Sequence, residues 1–137
     1  MNLTSRSLRG LALAFIFSAI TLGASGQDAP EIPVISSIET DRILEHASQT
    51  VTVTGKVVRV GKSGDGGITF LNFSTNRGGF VAVVFRANYS SFPDGPEAFL
   101  NKEVHVTGEV KPYQGSIPQI QIQTPDQVKV IEEVVAL

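Results

Sequence analysis

The sequence predicts an all-β fold, a five-stranded Greek-key barrel, and three observations predict it. Runs of alternating apolar and polar residues recur from Thr50 almost to the C-terminus, each of strand length and each bounded by turn residues. After the third run, the stretch SSFPDGPEAFLNK at 90–102 is the only non-strand interruption. A glycine, Gly55, stands in the middle of the first run, where glycine marks a bulge or the bend of a barrel.

The elements follow in chain order. Residues 1–26 read as a secretory signal: Arg6 and Arg9 precede twelve residues, Leu11 to Leu22, that are apolar apart from Ser18 and Thr21. A membrane-spanning helix needs about 20 apolar residues, whereas signal cores take about 7 to 15 followed by small residues. Ala24 and Gly26 supply the small residues, which makes Gln27 the expected new terminus and the protein secreted or periplasmic. Residues 27–37, with two prolines and no sustained period, read as a flexible arm. The domain proper is expected over 38–137, with the barrel over 50–131. Ile38, Ile43, Leu44 and Ala47 are spaced for a short N-terminal helix capped by Thr40 or Asp41.

VTVTGKVVRV at 51–60 then alternates as a strand with one buried face, and GITFLNFS and FVAVVFRA, joined by Thr75 to Gly79, read as a hairpin. In the interruption that follows, Pro96 is placed as the first residue of a single helical turn between the third and fourth strands. EVHVTGEV and IPQIQIQ alternate again around the turn KPYQGS, and QVKVIEEVV ends the barrel after a break at Pro125-Asp126. No internal repeat is present.

Composition narrows the chemistry. The whole chain carries 11 basic and 13 acidic residues. Without residues 1–26 the balance is 9 to 13, a net charge of −4, which disfavours tight non-specific nucleic-acid binding unless the cations are segregated. Cysteine is absent, so there is neither a disulfide framework nor a thiolate metal site, and the core alone must hold the fold.

GKSGDGG at 61–67 contains Gly-Lys-Ser, the letters that close a phosphate-binding loop, but its mechanics are wrong. No glycine stands five residues before Gly61, and the segment runs into a strand, so no helix N-terminus faces a phosphate. Its glycines and Asp65 suit a connection between two strands.

Five strands, one helical connection after the third and a glycine within the first are the layout of the OB-fold. The run from VTVTGKVVRV through FLNFS, FVAVVFR, VTGEVKPYQG and PQIQI resembles secreted bacterial OB-fold proteins of the tRNA-anticodon-binding-like, nucleic-acid-binding superfamily. Anticodon-binding barrels of that kind carry Phe-x-Asp-x-Arg on the second strand and a glutamine on the third, with the phenylalanine stacked on a base. Phe70 and Asn72 match the first two positions, Ser74 replaces the arginine, and Ala82 stands where the glutamine is expected.

Alternation puts Phe70 and Asn72 on one face of the second strand, and Phe80, Ala82, Val84 and Arg86 on one face of the third. The expected ligand-binding face therefore holds Phe70, Asn72, Phe80 and Arg86, flanked by Lys62 and Arg77 on one side and Lys111, Tyr113 and Gln114 on the other. The competing role for Phe70, Phe80, Val84 and Phe85 is to fill the barrel.

No serine lies in a nucleophile elbow, and His46 and His105 fall on different elements without an acid at ligand spacing, so catalysis, metal and cofactor are not expected. The expectation is a monomeric, non-catalytic binding module for single-stranded nucleic acid. The alternative is a module that binds an envelope protein or glycan.

Overall fold

The computed structural model describes residues 31–131; the segment read as a signal, residues 1–26, and the first four residues of the arm, 27–30, lie outside them. Eight strands form in this region: β1 (Val34–Ser36), β2 (Thr50–Lys56), β3 (Arg59–Lys62), β4 (Ile68–Asn72), β5 (Val81–Phe85), β6 (Glu103–Glu109), β7 (Gln119–Ile122) and β8 (Val128–Val130). A five-residue helix, α1 (Thr40–Leu44), lies between β1 and β2. Short 3-10 turns occupy Arg86–Ser91, Pro96–Phe99 and Pro125–Gln127.

The strands make two four-stranded sheets, β1-β2-β6-β8 and β3-β4-β5-β7. Their junctions close a ring. At Val57 and Val58 the first long strand turns from one sheet into the other: the Val57 N–H donates to Lys102 O (3.0 Å) and the Val58 N–H to Asn72 O (2.8 Å). On the far side an antiparallel bridge between Val110 and Ile120 joins β6 to β7. Going round, β2/β3 pairs with β4, β4 with β5, β5 in parallel with β7, β7 with the end of β6, and β6 with β2. That order is the five-stranded Greek-key OB-fold barrel expected from the sequence.

The core is the inward set of each alternating strand. Val51 and Val53, Leu71, Ala82 and Val84, Val104 and Val106, and Ile120 and Ile122 are all completely buried. Phe73 and Phe80 meet edge to face at 5.0 Å inside the barrel, a geometry aromatic pairs favour. The helical connection supplies Phe92, packed edge to face on Phe99 at 6.1 Å. Ile43 of α1 is also fully buried in this cluster.

Two glycines mark where the chain crosses itself. A Cβ on Gly55 would run into the Ser37 side chain, and one on Gly108 would sit 2.6 Å from Ile120 Cγ2. Gly55 is therefore a point of close approach between strands, in keeping with its place at a barrel bend.

Three expectations are corrected. Part of the arm is a strand: Val34 to Ser36 pair in parallel with Thr52 to Thr54, and Ile35 is completely buried. Three residues directly after Pro33 are too few to show a period, so only the open edge of β2 reveals it. The residue preceding α1 is Glu39, without a side-chain cap, rather than Thr40 or Asp41. Finally, β5 stops at Phe85, and Arg86 begins a 3-10 turn.

Candidate ligand-binding face

The outer face of the second sheet is built by register. Phe70 pairs with Gly61 on one side and Val83 on the other; Asn72 lies between Arg59 and Val81; Ile68 faces Phe85. Directly opposed residues of paired strands share a face, so Ile68, Phe70, Asn72, Val81, Val83 and Phe85 all point outward, with Arg59 and Gly61 beside them. Nothing lies within 4 Å of where a Gly61 side chain would begin, which leaves one flank of Phe70 open.

An open groove of about 340 Å³ runs over this face, lined by Ile68, Phe70, Val83, Phe85, Tyr113 and Gln119. Val83 is 1% exposed yet stands outside the barrel core, so it is the groove floor. An adjoining hollow of about 270 Å³ lies toward the hairpin turn and includes Arg59, Asn72, Arg77, Val81 and Ile117.

Two loops bracket the groove. The first, Ser63 to Gly67, is the glycine-rich connection from β3 to β4, as its composition implied. Asp65 Oδ1 accepts from Ser63 Oγ (2.8 Å) and the Gly67 N–H (2.9 Å), and these bonds hold its carboxyl below the usual carboxylate range, the Gly67 contact contributing most. Beneath the loop, Thr69 Oγ1 donates to Tyr89 Oη (2.9 Å), which donates to Gly66 O (3.1 Å). The second loop joins β6 to β7. It turns tightly through Gln114 and Gly115, both at positive φ, and places Tyr113, 51% exposed, at the groove's lip.

Of the nine residues singled out in the sequence, Phe70 and Tyr113 line the groove, while Asn72 and Arg77 line the adjoining hollow. Lys111 and Gln114 are exposed on the second loop but line neither, and Gln114 Nε2 donates to Tyr113 Oη at 3.4 Å.

Three placements are corrected. Phe80 is completely buried in the core rather than on the face. Arg86 reaches under the first loop, where Nη2 donates to Asp65 O at 2.7 Å. Lys62 pairs with Thr69, on the opposite face of β3 from Gly61, and its ammonium meets Glu97 at 2.5 Å and lies 5.9 Å from the Tyr89 ring centre. The bond to Glu97 raises the Lys62 pKa and lowers that of Glu97.

The cause is register. The Phe73 N–H donates to Phe80 O (3.2 Å), so six residues separate the facing pair and odd positions on β5 oppose even ones on β4. Ala82, matched to the family's glutamine, consequently points inward. Sequence reasoning missed Arg59, Ile68, Val83, Phe85 and Gln119. The available signal was VAVVF, a strand apolar on both faces, which implies that both are covered or that one binds.

No family model matches the sequence, and no curated protein matches it. Among solved structures, the fold is similar to part of the Entamoeba histolytica asparaginyl-tRNA synthetase, with a TM-score of 0.51 and 17% identity over 78% of this chain and 25% of that one. The same synthetase in complex with asparaginyl-adenylate gives the same values. At this identity the likeness concerns the fold, and the chain spans a quarter of the synthetase's length. The class defined by the topology is the OB-fold, with an open aromatic groove on its second sheet.

Proposed function

We propose that this protein is a non-catalytic OB-fold module, exported from the cytoplasm, that binds single-stranded nucleic acid across the outer face of β3, β4, β5 and β7. One observation carries the reading: the groove holding Phe70, Phe85 and Tyr113 lies on the second and third barrel strands between the first-to-second and fourth-to-fifth strand loops, the surface by which OB-folds take oligonucleotides. Aromatic rings there suit base stacking, worth about 1–3 kcal/mol per base. Arg59 and Arg77 at one end suit phosphate. The similarity to a tRNA synthetase agrees with a nucleic-acid ligand. Export rests on the charged, apolar and small-residue order of residues 1–26, and N-terminal sequencing of the exported chain is expected to begin at Gln27.

Anisotropy titration of a labelled single-stranded oligonucleotide, at low and then moderate salt, tests the binding function. Affinity is expected to fall with salt and, in Phe70→Ala, by about tenfold or more. Absence of binding at low salt sinks the nucleic-acid reading and moves the assignment to an envelope protein or glycan.

A further inference from the structure

β7 runs parallel to β5 with Gln119 opposite Val81 and Gln121 opposite Val83. Ile120 and Ile122 are fully buried, so both glutamines stand on the outer face, half-buried, beside the groove floor. Gln119 lines the groove together with Phe70 and Tyr113.

Its amide is unused. Neither Gln119 nor Gln121 makes a side-chain hydrogen bond to another described residue; the contact at Gln121 is made by its backbone oxygen, which accepts from Gln127 Nε2 (3.3 Å). Asn72 Nδ2 makes only long contacts, 3.4 Å to Arg59 O and 3.5 Å to Phe70 O.

An amide covered by a ligand without replacement partners costs about 1–3 kcal/mol, so what fills this groove must return a donor and an acceptor. An unpaired base stacked on an aromatic ring does so: its edge carries a donor and an acceptor side by side in the ring plane, the complement of a carboxamide. A base locked in a duplex offers neither its face nor its Watson–Crick edge.

Resting on the binding function proposed above, we propose that Gln119 reads the edge of a base stacked on Phe70 and sets which base the groove prefers. The ligand class is accordingly a single strand with at least one unstacked, unpaired base.

The test titrates the purified chain with labelled oligo-A, oligo-C and oligo-U of equal length, so that charge is constant and only the bases differ. Wild type is expected to separate the three by about fivefold or more in Kd, the scale of one good bidentate contact. In Gln119→Met, which keeps length and apolar area, the spread is expected to close to within about twofold, while Phe70→Ala weakens all three. Should Gln119→Met fail to fold by circular dichroism, Gln119→Asn keeps the amide but withdraws it by one methylene, and a changed order of preference is expected. A wild type without a spread, or a spread unchanged in Gln119→Met or Gln119→Asn, overturns base reading while the binding function stands. No binding of any oligonucleotide overturns both.

Discussion

Phe70 and Phe80 lie ten residues apart, one at the groove and the other completely buried against Phe73. Both were legible as aromatic residues on strands; which face each takes was not, because a hairpin's register depends on how many residues the turn consumes. The two positions predict opposite phenotypes. Phe80→Ala is expected to cost about 3–5 kcal/mol in denaturant unfolding. Phe70→Ala is expected to weaken oligonucleotide binding with little loss of stability, since its ring borders an open groove. Asp65 carries a pH signature at the same scale. Its folded pKa is depressed by the Gly67 and Ser63 hydrogen bonds, so its ordering of the first loop is complete above the ordinary aspartate value near 4 and is lost as pH falls through the lower folded value. Followed by NMR, the Gly67 amide shift is expected to stay flat down to about pH 4 and to titrate only below it; a midpoint at or above that value would count against the loop geometry.

Among the elements, the corner between β7 and β8 shows how far sequence reasoning reaches. Pro125-Asp126 marks the break, but the residue that fastens the corner is Gln127. Its Oε1 accepts from the Gln123 N–H (2.7 Å) and the Thr124 N–H (3.1 Å), and its Nε2 donates to Thr107 O (3.0 Å) and Gln121 O (3.3 Å). One side chain thus links β6, β7 and the final turn, satisfying backbone groups that a strand end leaves unpaired. Gln127→Ala is expected to lower stability by about 1–3 kcal/mol, read as a shift of the urea midpoint without a change in slope. The spacing from Thr124 to Gln127 is that of a capping box, so this part of its role is local; the bond to Thr107 O, twenty residues away, leaves no mark in the local pattern. The first loop contrasts with it: Gly64, Asp65, Gly66 and Gly67 announce a turn by composition alone.

At the scale of the whole molecule, the distribution of charge decides how the face can bind. Lys62 is engaged by Glu97 and Arg86 by the first loop, which leaves Arg59 and Arg77, with Lys111 nearby on the second loop, to meet a backbone. Two or three phosphate contacts imply a shallow salt dependence, a slope of log K against log salt of about −1.5 to −2 for a single strand. Arg59→Ala is expected to flatten that slope, and Lys62→Ala is expected to leave it unchanged; a slope near −5 in wild type would require cations the face does not have. By itself the sequence determined the barrel's strands and their order, the helical turn at Pro96, the loop at 63–67, and the inward faces of β2, β6 and β7. There, polar residues alternate with apolar ones, and burial of the apolar set admits one orientation. Only the tertiary structure decided which face of VAVVF is the groove, that Phe80 belongs to the core, and that Gln119 rather than Ala82 brings an amide to the groove that Phe70 lines. Those outcomes depend on hairpin register and on which strands become neighbours when the ring closes, and pairings between distant segments leave no trace in local periodicity.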